Sequence, residues 1–149
     1  MLKKIYNHKW FPRLFYSKPD GGKNSGVTAY FLIEWKPVLS IALLKFEGGH
    51  RERENFHEHA FNAFTWWISG KASELRLSYI QQNDWYSSST EYKRSIIPKL
   101  TKRDNLHKVF ADTDCWALSL RGPWKNSWRE FNSADEKFLT LTHGRKVVG

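Results

Sequence analysis

The chain has 149 residues, 40% of them hydrophobic; that is enough to bury the core of one domain and too apolar for a disordered polymer. Lys and Arg number 24 against 15 Asp and Glu, for a formal net charge of +9, a balance that suits polyanions such as nucleic acid or nucleotides, or simply a solvated basic surface, because no basic tail or block is present. No apolar run approaches the roughly 18 residues of a bilayer span, the basic N-terminus lacks the apolar stretch of a secretory signal, and the lone Cys115 excludes an intrachain disulfide; these point to a cytoplasmic protein with no membrane association.

Residues 1–25 mix aromatics with Pro12, Pro19 and Asp20-Gly21-Gly22 and read as an irregular N-terminal arm with a turn near 20–22. Residues 26–35 are apolar and β-prone, and Pro37 breaks the run. It resumes over 38–46 with Leu39, Ile41, Leu43 and Leu44 and ends at Gly48-Gly49. The charged loop Arg51-Glu52-Arg53-Glu54 leads into His57. Residues 61–68 form a third apolar run closed by Ser69-Gly70, and Leu75, Leu77 and Tyr79 then alternate with Arg76 and Ser78 in a half-buried strand pattern. Asn83-Asp84 and Ser87-Ser88-Ser89 mark a polar loop, residues 92–98 a short strand, and 115–120 a strand stopped by Gly122-Pro123. Residues 128–131 and 138–141 are the last strands, and 143–149 form a tail. Eight to ten short strands without a sustained helical period predict an all-β sandwich or barrel. Aromatics at 16%, with eight Trp and ten Phe, agree with strands.

Phe56-His57-Glu58-His59-Ala60-Phe61 carries the most chemistry. On a strand, His57 and His59 point the same way; on a helix over 56–68, the competing reading, they would diverge by about 200° and share nothing. His107 heads a second apolar run. Three imidazoles brought together would hold one metal ion with positions open for substrate or dioxygen. Glu58 would point away, Glu74 is a candidate fourth ligand, and Asn62 a candidate hydrogen-bond partner within the site. Arg76 and Arg121 are candidates to orient an anionic group. Cys115 reads as an ordinary buried thiol. Trp85-Tyr86 and Trp124-Lys125 are the best candidates for exposed stacking platforms.

His57-Glu58-His59-Ala60-Phe61-Asn62, followed by Ile68-Ser69-Gly70-Lys71-Ala72-Ser73-Glu74, resembles the first metal motif of the cupin superfamily. His107-Lys108-Val109, Trp116-Ala117-Leu118-Ser119-Leu120-Arg121-Gly122-Pro123 and Trp128 are similar to elements of small bacterial and phage cupin-like proteins of unknown function. The match runs over about residues 26–131. The resemblance implies a cupin-like jelly-roll β-barrel over 26–142, a divalent metal (Fe(II) first, with Zn, Ni or Mn as alternatives) on His57, His59 and His107, and a homodimer, although the residues give no interface signal of their own. Ala63 and Phe64 stand where the motif's glutamate would be, and the Pro-X-Gly ahead of the second histidine is missing. The implied site is therefore three-histidine, as in cupins that resemble thiol dioxygenases. Two functions stay open: a mononuclear iron dioxygenase-type enzyme acting on a small anionic molecule or nucleotide, with an accessory role in a phage and a host-cytoplasm location; or a non-catalytic module binding an anionic small molecule or nucleic acid.

Overall fold

The computed structural model describes residues 11–20, 25–49, 56–79, 85–132, 137–142 and 146–148. Among them are thirteen strands and no helix: β1 (Arg13–Pro19), β2 (Val27–Trp35), β3 (Leu39–Phe46), β4 (Phe56–His57), β5 (Ala63–Ser69), β6 (Ala72–Tyr79), β7 (Trp85–Tyr92), β8 (Lys99–Thr101), β9 (His107–Ala111), β10 (Cys115–Arg121), β11 (Ser127–Asn132), β12 (Lys137–Thr142) and β13 (Lys146–Val147). One sheet has the order β1-β2-β3-β10-β5-β8, the other β13-β12-β11-β4-β9-β6-β7. All pairings between named strands are antiparallel. The two sheets face each other, and β3–β10 and β9–β6 are non-consecutive neighbours, as in a jelly roll.

Four expectations change. Residues 13–19 were expected in an irregular arm and instead form β1, paired to β2. Its signal is hidden by Pro19 at its end and by Phe15, whose φ of 49° interrupts the alternation; an edge strand tolerates both. The Ser-rich stretch expected as a loop is β7, whose residues 88–91 are exposed and which pairs only with β6; polar residues are what an exposed edge accepts. The strand expected over 92–98 is not there: Tyr92 ends β7, and Ile96 and Ile97 are 91% and 75% exposed. Part of the expected tail pairs as β13 against β12. The turn at 21–22, the charged loop 51–54, His8, His50 and His143 lie outside the described residues.

One core cluster joins the sheets through Val27, Phe31, Leu44, Phe46 and Trp67 on one side and Ala72 and Ala111 on the other. Trp67 packs on Phe46 and stacks on Tyr92, with ring centroids 5.2 and 5.3 Å apart. A second cluster, of Ala60, Phe61, Ala63, Trp128 and Leu141, lies elsewhere. Gly70 turns β5 into β6 at φ 79°, where a Cβ would meet Cys115 Cβ at 2.5 Å, so no other residue fits without displacement.

Part of the inner face of the six-stranded sheet is small. Ala63, Thr65, Thr101 and Ser119 stand there where large aliphatics would ordinarily fill the space. Side chains this short do not meet the opposite sheet about 10 Å away, and the unfilled space is a cavity that touches residues of both clusters.

Candidate metal centre

β4 is two residues long, but the extended chain after it preserves alternation. His57 and His59 turn inward, while Glu58 turns to the other side and accepts from Arg129 Nη2 at 2.6 Å and Nε at 3.2 Å. β4 lies between β11 and β9, with His57 directly opposite His107. The strand reading of 56–59 therefore holds, and the helix reading falls.

The three imidazoles converge through the same atom. His59 Nε2 lies 3.2 Å from His57 Nε2 and 2.9 Å from His107 Nε2, and one ligand atom from each residue lies within 4.8 Å of the others. Ligand nitrogens about 2.1 Å from a common ion would sit roughly 3.0–3.4 Å apart for angles between 90° and the tetrahedral value; the 3.2 Å spacing falls in that range and the 2.9 Å spacing just below it. Protons suit the arrangement less well. His107 Nδ1 lies 2.5 Å from Glu74 Oε2, and a carboxylate acceptor there keeps the proton on Nδ1 and leaves a lone pair on Nε2. His59 is pushed well below the usual histidine range, first by burial and then by the neighbouring His107, His57 and Arg121, so it presents a neutral ring. Its Nδ1 is buried without a hydrogen-bond partner among the described residues.

Glu74 is placed differently from expectation. It is 3% exposed and sits behind His107 on β6, away from the meeting point of the Nε2 atoms. Its other oxygen, Oε1, accepts from the Tyr92 hydroxyl at 3.1 Å. Burial would raise its pKa, but the hydrogen bonds from His107 and Tyr92 outweigh that and hold it below the usual glutamate value. Glu74 thus meets the Nδ1 side of His107, away from the point where the Nε2 atoms converge. Tyr92 was missed by sequence reasoning, since nothing local ties a tyrosine at the end of a Ser-rich strand to a carboxylate 18 residues earlier.

The cavity beside the histidines has a volume of about 80 Å³. At one end Arg121, 2% exposed, donates from Nη2 to Asp20 Oδ2 at 2.6 Å and from Nε to Ser119 Oγ at 3.2 Å. Its guanidinium lies 4.7 Å from the Phe61 ring centroid. Burial would raise Asp20, but the Arg121 charge and hydrogen bond hold its carboxyl below the usual aspartate range. Asp20, another residue not singled out from the sequence, also lines an outer groove of about 320 Å³ that shares His57, His59 and Phe61 with the cavity and adds Lys18, Lys36 and Trp124.

Of the expected anion-binding residues, only Arg121 lines the cavity. Arg76 lies beside Glu74, with Nη2 3.8 Å from Oε1, and does not line it. Asn62 is exposed and its Oδ1 accepts from the Arg103 backbone at 2.8 Å, so it pins the loop after β8; alternation from the inward Phe61 turns it out of the site. Trp124 is not a free platform: it packs on Phe61 and Trp128 at 5.2 and 5.6 Å, with Lys36 Nζ 4.7 Å from its ring centroid. Cys115 is fully buried and its thiol is pushed up to about 11 by burial and by Asp114 and Asp112.

No family model matches the sequence, and no curated protein matches it. Solved structures do match the fold. A crystal structure of Fe(II) HppE superposes with a TM-score of 0.53 at 11% identity, over 72% of this chain and 55% of that one. HppE in complex with substrate gives 0.53 at 10%, over 72% and 56%. The S161A mutant of Bacillus subtilis oxalate decarboxylase gives 0.51 at 15%, over 83% and 30%. The chain thus spans about half the length of the first and under a third of the last. All are cupin-fold proteins, and the two-sheet architecture here is the cupin jelly roll.

Proposed function

We propose that this cupin-fold chain binds one divalent metal ion on His57, His59 and His107 and is an oxidoreductase of the mononuclear iron type acting on a small organic anion. The observation that carries the reading is the convergence of three Nε2 atoms at 2.9 and 3.2 Å with the His107 tautomer fixed from behind by Glu74. Imidazole donors suit iron, zinc and nickel alike. Iron(II) is put first because HppE, on the same fold, carries it.

When bound, the ion would supply Lewis acidity and, as iron, electrons for dioxygen. The chain's own residues do the remainder. Glu74 and Tyr92 hold the His107 ring in one orientation. Phe61 and Trp67 keep the cavity apolar on two sides. Arg121 is the buried cation that lines the cavity, with the half-buried Lys99 also in its wall, and a carboxylate or phosphonate entering beside Arg121 would compete with Asp20 for its guanidinium. A volume of about 80 Å³ takes roughly five to eight water-sized groups at 10–15 Å³ each, so the fit is to a small acid rather than a nucleotide. That oxalate decarboxylase shares the fold supports the same class.

Elemental analysis of the purified protein tests the reading. One metal per chain, lost in His57→Ala and in His107→Ala, supports it. Absence of stoichiometric metal after incubation with Fe(II), Mn(II), Ni(II) and Zn(II), or retention in both variants, overturns it. Oxalate and malonate should bind the iron-loaded wild type and fail to bind Arg121→Leu.

A further inference from the structure

The six-stranded sheet presents a second polar wall to the cavity, apart from Arg121. In register, Arg121 on β10 lies opposite Ala63 on β5, and Ala63 lies opposite Thr101 on β8; the next row is Ser119, Thr65 and Lys99. Thr101 is 7% exposed, whereas Leu100, of opposite parity, is 43% exposed. β8 therefore turns Lys99 and Thr101 inward, and both line the cavity together with Thr65. A lysine on an edge strand ordinarily runs its ammonium out to water. Here Nζ lies 5.9 Å from the ring centroid of Tyr92, which belongs to the other sheet and also lines the cavity. Among the described residues Lys99 has no carboxylate partner. The two carboxylates that line the cavity are engaged elsewhere, Asp20 by Arg121 and Glu74 by His107 and Tyr92.

We propose that Lys99, with the Thr65 and Thr101 hydroxyls, is a second anion-binding site in the cavity, and that the ligand is a small dianion held at one end by Arg121 and at the other by Lys99. Charge is the first argument. Arg121 has Asp20 as an internal counterion, while the Lys99 ammonium has none, so an acidic group arriving beside Lys99 displaces no partner and forms a charge-assisted hydrogen bond. Hydroxyl donors from Thr65 and Thr101 suit the same group. Spacing is the second. Adjacent strands lie 4.7–4.9 Å apart, so the Arg121 and Thr101 backbones, two strands apart, are separated by roughly 9.5 Å, and Ala63 between them is too short to fill the gap. A ligand acidic at both ends meets both cations, and a monoacid leaves one of them without a partner. Size is the third. The eight non-hydrogen atoms of a four-carbon dicarboxylate match the upper end of the roughly five to eight groups that a volume of about 80 Å³ takes. The inference rests on the cavity being an anion site and does not require the metal.

Isothermal titration of the purified protein with succinate and with butyrate tests it, the two ligands having the same carbon count and differing by one carboxylate. The expected result is succinate bound at least about tenfold more tightly than butyrate by the wild type. Lys99→Met should lower succinate affinity by about 10–100-fold, the worth of a hydrogen bond to a charged group, and leave butyrate within about twofold; Lys99→Arg should keep the preference. Far-UV circular dichroism establishes that the variants fold, and Lys99→Gln replaces Lys99→Met if that one does not. A wild type that binds neither ligand, or binds both equally, or a folded Lys99→Met that keeps the preference, overturns the proposal. Metal content measured on the same samples separates the two readings. A chain that holds no metal yet prefers succinate through Lys99 keeps this inference and loses the metal centre, and a metal-loaded chain without the preference loses this inference alone.

Discussion

The inner face of the six-stranded sheet divides into two regions. Val27, Phe31, Leu44, Phe46 and Trp67 pack the core at one, while at the other Ala63, Thr65, Thr101, Ser119 and the buried Arg121 face the cavity beside the three histidines. A sheet whose only task was to close a core would place its large apolar residues inward. The difference teaches that the interior of this jelly roll is shaped for contents. Small side chains leave space beside Arg121 and the three histidines, while Phe46, Trp67 and Phe61 supply apolar burial at the cavity walls.

The most direct way to break that contrast is to remove a donor. His59→Ala should abolish stoichiometric metal, with affinity falling by more than about 10³-fold, because altering only a ligand's hydrogen-bonded support costs 10–100-fold. Isothermal titration with Zn(II) reads this. Thermal stability without metal should hold or rise, since a buried imidazole whose Nδ1 has no partner is itself a cost to folding.

The charged end of the cavity comes next. Asp20→Asn should destabilise the chain by about 2–3 kcal/mol in urea unfolding, the lower side of what breaking a buried pair costs, because the Asp20 side chain is 28% exposed. The same variant should bind oxalate about tenfold more tightly, since Arg121 loses its internal competitor. A loss of stability that added oxalate does not restore would show that the pair is purely structural.

Glu74→Gln should be gentler. The amide can still meet His107, but no longer as a charged acceptor. Metal affinity should fall 10–100-fold with the fold intact, whereas Arg76→Gln, whose side chain is 40% exposed, should leave metal affinity within about twofold. Equal effects from the two would place Arg76 in the site after all.

The histidine set was legible because alternation alone aligns His57 with His59, and a strand at 107 supplies the third ring. Arg121 was legible by the same parity, two residues beyond Ser119 on β10. Parity also turns Asn62 outward, one step from Phe61, so that expectation failed against a rule already in hand. What could not be read was pairing at a distance. Glu74 reaches His107 only because Arg76, two residues on, lies opposite His107 in the β6–β9 register, and Asp20 reaches Arg121 across 101 positions. Neither register nor a turn's side-chain direction is written in local composition. β1 and β7 were missed because edge strands are free to be polar or interrupted.

The smallest expected effect separates the cavity's charges from those at the sheet's rim. Glu34 is 4% exposed and accepts from the Tyr16 hydroxyl and from Lys18 Nζ at 2.9 Å. Burial pushes its pKa up, but the Tyr16 hydrogen bond and the Lys18 charge, with a further contribution from Lys36, prevail, and it lies below its ordinary value of 4.5. Arg13 is its cross-strand partner in register. A carboxyl whose folded pKa is depressed stabilises the fold fully above its unfolded pKa, and that contribution is lost as pH falls through the folded value. Urea midpoints should therefore drop below pH 4.5, and Glu34→Gln should flatten the drop by about 1 kcal/mol while lowering stability at pH 7 by about 1–3 kcal/mol. Metal content at pH 7 should not change, because Glu34 touches none of the three histidines. An acid limb that is unaltered in Glu34→Gln would assign the acid sensitivity to Asp20 and Glu74, and with it to the cavity instead of the rim.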